Sequence, residues 1–213
     1  ATDAAAYRDR HELVHRRDAD APNAMWQADH TMLDVLVLDA GKPVRPWLTV
    51  VMDDYSRAIA GFFLATAAPS AVNTALALRQ AIWRKEDPDW PVCGIPEQLY
   101  ADNGSDFVSE NIEQACIALK IRLIHSRPGR PRGRGKIERF FRTINDMFLP
   151  DIPGHLIKGK PLSEPAIELA ELTIRFERFL HDVYHRRPHG TTGEEPIARW
   201  RSGGFLPSLP ESR

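Results

Sequence analysis

The sequence predicts an α/β fold built on a mixed five-stranded sheet flanked by helices. Three observations lead there. Between residues 25 and 65, apolar runs broken by short turn segments describe antiparallel hairpins. From Gln98 to His125, two short apolar runs enclose a helical stretch, and that β-α-β alternation requires a crossover and a parallel pairing. Helical periodicity before, within and after these segments supplies layers to cover the sheet.

Residues 1–24 read as a helical lead-in, Ala4 to Arg17, followed by an Asp-Ala-Pro-Asn linker. Segment 25–38 thickens into Val35-Leu36-Val37-Leu38, and Ala40-Gly41-Lys42-Pro43 marks a hairpin turn. Trp47 to Met52 and Ala58 to Ala65 supply two further strands across the Asp53-Asp54-Tyr55-Ser56 turn. Ser70 is suited to cap a helix through about Lys85, which Pro88 and Pro91 terminate. Gln98 to Ala101 is a strand running into Asp102, Ser109 caps a helix through Leu119, and Ile121 to His125 is the last strand of the sheet.

Residues 134–148 form a helix with Ile137, Phe141, Ile144 and Phe148 along one stripe. After a Pro/Gly-containing connection, Ser163 caps a last long helix to about His185, ahead of Pro188. The expected division is a lead-in and linker over 1–24, a principal core domain over 25–150, and a connection, C-terminal helix and tail over 151–213.

At 213 residues and 43% hydrophobic, the chain can bury one principal core. Apolar runs such as Leu48–Met52 and Ile59–Ala68 are too short to span a bilayer, and Asp3, Arg8, Asp9 and Arg10 interrupt any secretory leader. Cys93 and Cys116 lack the CxxC spacing of a zinc site or the density of a disulfide scaffold, which fits a reducing cytoplasm. His11 and His15, with no cysteine pair beside them, read as solvated helix surface. The net charge of −1 hides an asymmetry: from Lys120 to Arg142 nine side chains are basic, and Glu138 is the only acid. That pattern suits a site that attracts a polyanion and holds a metal beside it.

Three carboxylates stand out: Asp29 in Trp26-Gln27-Ala28-Asp29-His30-Thr31, Asp102 in Ala101-Asp102-Asn103-Gly104, and Glu138 in Lys136-Ile137-Glu138-Arg139. Thirty-five residues separate the last two. Two acids ending separate strands and one on a helix would make a cage of hard oxygens, the ligand type of Mg²⁺ or Mn²⁺. Each also has an ordinary reading by itself. Asp29 fits a buried strand acid bonded to Thr31 or a backbone amide, Asp102 fits turn chemistry, and Glu138 fits an exposed acid bridging Arg134 and Arg142.

The order Trp-Gln-x-Asp-x-Thr, then Asp-Asn-Gly-Ser-x-Phe, then a Gly-rich basic turn into Gly135-Lys136-Ile137-Glu138-Arg139 resembles the integrase catalytic core (rve) of the DDE transposase and retroviral integrase superfamily. Arg45-Pro46-Trp47-Leu48-Thr49, Asp53-Asp54-Tyr55-Ser56-Arg57 and Arg187-Pro188-His189-Gly190 look more like bacterial Mu-type transposases than viral integrases. The resemblance implies a ribonuclease H-like fold and a polynucleotidyl transferase, with Asp29, Asp102 and Glu138 as catalytic residues and metal ligands. It further implies Mg²⁺ or Mn²⁺ as cofactor, two ions when DNA is bound. Hydrolysis would free a 3′-OH, which then attacks target DNA.

Transposon-end and target DNA are the expected partners, in a homo-oligomeric complex in a bacterial cytoplasm. The expected DNA contacts are Arg127, Arg130, Arg132, Arg134, Lys136, Arg139 and Arg142. The zinc-binding N-terminal domain of retroviral integrases, an end-reading helix-turn-helix and a β-barrel after residue 200 have no counterpart, so the chain reads as an excised catalytic core. His30 and His125 fit local hydrogen bonding better than catalysis, and the Arg186 to His189 cluster suits either DNA contact or helix termination.

Two other readings share this fold: a nuclease or resolvase that cleaves without joining, and a catalytically silent DNA-binding assembly module. A tyrosine recombinase is set aside, because Tyr7, Tyr55, Tyr100 and Tyr184 lack a surrounding Arg/His constellation.

Overall fold

Strand β1 (Trp26–Met32) is the middle of a five-stranded sheet ordered β5-β4-β1-β6-β7 in the computed structural model, which describes residues 19–102, 107, 109–125 and 135–211. The expected lead-in helix Ala4 to Arg17 and the basic segment 126–134 lie outside the described residues. β1 pairs antiparallel with β4 (Trp47–Asp53) from Trp26↔Asp53 to Met32↔Trp47, and β4 pairs antiparallel with β5 (Ile59–Ala65). On its other side β1 runs parallel to β6 (Gln98–Ala101), which runs parallel to β7 (Arg122–His125). The expected mixed sheet is present. The stretch read as one strand over 25–38 divides at Leu33, with β2 (Val37–Asp39) and β3 (Lys42–Val44) forming a separate hairpin.

Local chemistry sets the joints. At the β4–β5 turn the Asp53 carboxylate accepts the Ser56 amide at 2.7 Å and the Ser56 hydroxyl at 2.6 Å, and Arg57 turns the chain at φ 70°. Helix α1 (Ala71–Ile82) and helix α2 (Glu110–Ala118) are capped by Ser70 and Ser109, whose hydroxyls accept the amides of Asn73 and Ile112. α1 packs directly on β5 at Gly61, where a Cβ would stand 2.5 Å from the Ala77 carbonyl oxygen. Only glycine permits that approach.

Helix α3 (Gly135–Met147) buries Ile137, Phe140 and Ile144, so its inward stripe runs through Phe140, with Phe141 half-buried. A 3-10 turn (Leu149–Asp151) and a small hairpin of β8 (Leu156–Ile157) and β9 (Lys160–Pro161) follow. Helix α4 spans Leu169–Phe179 and starts later than the expected Ser163 cap. Pro165 disfavours helical backbone before it, and residues 167–168 run extended beside β2, where Leu38 N–H donates to the Ile167 carbonyl at 2.9 Å. Ser163 Oγ instead accepts the Gly154 amide. The chain continues through a π-helical turn (Leu180–Tyr184) to helix α5 (Pro196–Ser202).

Phe176 of α4 meets Phe62 of β5 edge-on at 4.9 Å and Phe148 at 5.3 Å, which brings the C-terminal helices into the same core as the sheet. The outer edge of β5 is closed by side chains. Ile59 N–H donates to His185 Nε2 at 3.0 Å, the Ile59 carbonyl accepts from Trp90 Nε1 at 2.6 Å, and Phe62 N–H donates to Gln80 Oε1 at 2.7 Å. Tyr184 Oη donates to the Arg57 carbonyl at 2.9 Å. Among the described residues no helix is long and apolar enough to cross a membrane.

Candidate active site

The parallel ladder between β1 and β6 pairs Trp26 with Leu99 and Gln27 with Tyr100. Two residues beyond that last pair stand Asp29 on one strand and Asp102 at the end of the other. An even step preserves the face, so Asp29, in the middle of β1, lies on the same face as Gln27, and a register continued past Tyr100 would align it with Asp102. Asp29 is 5% exposed, and its Oδ1 accepts the His30 amide at 2.8 Å. Asp102 is half-buried, and its carbonyl accepts from His125 Nδ1 at 3.1 Å, which requires the Nδ1–H tautomer. His30 shares a 2.8 Å hydrogen bond between Nδ1 and the Thr49 hydroxyl, and its ring stacks on Phe107. Both histidines make the local hydrogen bonds their positions suggested.

Glu138 lies in the first turn of α3, the helix that packs against β1. Ile137, 1% exposed, seats that turn on the core, while Glu138 and Arg142 are exposed. Among the described residues no three His, Cys, Asp or Glu side chains are gathered closely enough to hold a metal. Asp29 lies on the central strand β1, Asp102 directly follows the neighbouring strand β6, and Glu138 lies in the first turn of the helix packed against β1. Arg139 donates from Nη1 to Thr191 Oγ1 at 2.6 Å. Arg127, Arg130, Arg132 and Arg134 fall outside the described residues.

Lys136 is engaged inside the fold: its Nζ lies 2.5 Å from Asp54 Oδ2, a carboxylate with no exposed surface. Asp54 also accepts from the Gln27 amide group at 2.6 Å and from the Ala19 amide at 2.9 Å. Its neighbour Asp53 is pushed up to about 6, chiefly by burial, against hydrogen bonds from Ser56 and Asn23 that favour the charged form. Sequence reasoning took both acids for turn residues and missed this network. A faint signal was available in Asp53 ending the mostly apolar strand β4 with a second acid, Asp54, directly after it.

Carboxylates are the donor type that a hard divalent cation takes. Asp29 and Asp102 belong to adjacent strand segments, and Glu138 is exposed on the helix packed against β1.

This sheet, with its central strand antiparallel to one neighbour and parallel to the other, is the ribonuclease H-like fold of integrase catalytic cores. The HTLV-2 integrase catalytic core domain, determined in complex with magnesium in a trimeric form, matches it with a TM-score of 0.57 at 20% identity, covering 86% of this chain and 97% of that one. The chain belongs to the TnsB C-terminal domain family, whose model matches residues 27–154. It is 49% identical over 207 residues to the transposase for transposon Tn552 of Staphylococcus aureus, covering 97% of this chain and 43% of that protein. It is 30% identical over 153 residues to the transposon Tn7 transposition protein TnsB of Escherichia coli, covering 65% of this chain and 22% of that protein. The chain thus spans less than half the length of either relative, and it falls within the DDE transposase and integrase superfamily.

Proposed function

We propose that the chain is the catalytic part of a bacterial DDE transposase of the Mu type, one that cleaves DNA to free a 3′-OH at an element's end and joins that end to target DNA. What supports this reading is membership of the TnsB C-terminal domain family together with the β1–β6 ladder, whose register, extended by two residues, would align Asp29 with Asp102, while Glu138 lies on the helix packed on β1. Asp29, Asp102 and Glu138 bind Mg²⁺ or Mn²⁺, two ions when DNA is present. The bound metal supplies activation of the attacking oxygen and stabilisation of the leaving one in an in-line displacement.

The protein's own groups orient and exclude. Asp29 is buried and locked by the His30 amide, so it presents one fixed face. Arg139 and the exposed Arg142 contact DNA phosphates, and the basic residues Arg127, Arg130, Arg132 and Arg134 add to that affinity. Tyr184 is buried with its hydroxyl pushed up by desolvation, and burial raises the Cys116 thiol to about 11, so neither side chain is suited to attack. In this reading the chemistry runs between water, DNA hydroxyls and phosphate, without a covalent protein–DNA link. The protein acts as a homo-oligomer on transposon-end and target DNA in the bacterial cytoplasm.

The test is Mn²⁺-dependent cleavage and joining on paired-end DNA by a longer chain that includes the segments flanking this one in its relatives. Cleavage followed by joining is expected, and Glu138→Gln abolishes both while retaining DNA binding. Cleavage without joining would identify a nuclease instead, and full activity of Glu138→Gln would remove Glu138 from the site.

A further inference from the structure

Asp54 gathers partners from four separate parts of the chain. Its Oδ1 accepts from Gln27 Nε2 at 2.6 Å, while Oδ2 accepts from the Ala19 amide at 2.9 Å and pairs with Lys136 Nζ at 2.5 Å, with Arg57 Nη1 at 3.9 Å. Two of these partners sit at the same offset from the acids. Gln27 is two residues before Asp29 on β1, and Lys136 is two residues before Glu138 on α3. The carboxylate thus ties the strand of one acid to the helix of another.

The geometry of the helix makes the tie directional. Successive residues turn by about 100°, so Lys136 and Glu138 flank Ile137 on opposite sides. With Ile137 buried at 1% and Lys136 drawn in to Asp54, Glu138 is left on the remaining flank, where it is exposed. An apolar contact alone would let the first turn roll about its axis. The charged contact fixes the roll.

We propose that Asp54 and Lys136 are a positioning pair that sets Glu138 relative to Asp29 and Asp102, so that Lys136 acts through the place of Glu138 and not as a phosphate contact. This rests on the reading of Glu138 as the third metal-binding carboxylate. The lysine side chain is 19% exposed and the aspartate 0%, so removing the lysine leaves a buried charge short of its closest cation.

The test compares Lys136→Met, Lys136→Arg, Asp54→Asn and the Lys136→Met/Asp54→Asn double variant of this chain. Mn²⁺ binding is read from the electron paramagnetic resonance signal of the free ion, with a random-sequence duplex present. Duplex affinity is measured against salt, and the melting temperature is recorded. Lys136→Met weakens Mn²⁺ binding about tenfold, the low end of what loss of a supporting contact costs a metal site. Lys136→Arg restores most of it, and the double variant is no worse than Lys136→Met. The salt slope of duplex binding stays unchanged.

A normal Mn²⁺ affinity with a salt slope shallower by about one contact would make Lys136 a phosphate ligand and overturn the proposal. So would a lowered melting temperature beside normal Mn²⁺ binding, since that describes a purely structural pair. Glu138→Gln run alongside separates the two layers of argument: if it leaves Mn²⁺ binding intact, the reading of Glu138 fails. A weakened Glu138→Gln beside an unaffected Lys136→Met overturns the positioning pair alone.

Discussion

The ring of His30 lies over that of Phe107, with centroids 4.5 Å apart and planes 25° apart. The residue after Asp29 is thereby stacked on a residue of the motif that opens with Asp102. Phe107 is completely buried, so the stack is part of the core and links the two acid-bearing segments through their side chains.

Phe107→Ala is expected to destabilise the fold by about 3–5 kcal/mol, the usual result of emptying a buried aromatic site. The same variant should weaken Mn²⁺ binding, because the segment after β6 loses its hold on β1. Urea denaturation and Mn²⁺ titration report the two effects separately. Stability lost without any change in Mn²⁺ binding would confine the stack to the core.

Asp29→Asn and Asp102→Asn should each reduce the affinity for Mg²⁺ or Mn²⁺ strongly while keeping the β1–β6 pairing, since an amide preserves shape and removes charge. Calorimetric titration measures this directly. Two variants that bind like the original chain would place the metal elsewhere.

Replacing Arg130, Arg132 and Arg134 by alanine should weaken binding to specific and random duplexes alike. Each lost phosphate contact makes the slope of log K against log salt shallower by about 0.9, so three contacts shift it by about two to three units. An unaltered slope in a salt titration would return these arginines to solvated surface.

Stability should fall on acidification through His185. Burial, reinforced by His181 and Lys85, holds its imidazole down to about 3, against about 6.5 in the unfolded chain. With the folded value depressed, the contribution is complete above about pH 6.5 and is lost progressively as pH drops towards 3, by an upper limit of about 3–5 kcal/mol. Asp53 works the other way: raised to about 6, it disfavours the fold at neutral pH and relaxes as pH falls towards 4. His185→Gln keeps an acceptor for the Ile59 amide and cannot titrate, so below about pH 4 it should lose less stability than the parent. Parallel stability curves from neutral pH to about pH 3 would exclude this role.

What was legible in the sequence was local or periodic. Ser70 and Ser109 declared their helices because a cap bonds residues three positions on, and the β-α-β alternation declared the parallel pairing of β6 and β7. Long-range contacts were not legible. Helix α4 begins at Leu169 because β2 holds the preceding residues extended, and Phe140 replaces Phe141 on the buried stripe because of what α3 rests against. The setting of Lys136 was hidden for the same reason. Its partner Asp54 lies 82 positions away in a turn whose composition reads as ordinary. The role proposed for Glu138 rests on the resemblance, and among the described residues no three such side chains are gathered.

β5 ends one side of the sheet, and its outward amides at Ile59 and Phe62 are taken by His185 and Gln80, with Trp90 on the Ile59 carbonyl. The seal at Ile59 comes from a residue 126 positions later, so a ribosome exposes this strand long before its cover exists. In that interval the strand is an open template for pairing with another nascent chain. Chains cut short before His185 should accumulate as aggregates for want of a plug, even with every acidic residue of the site intact.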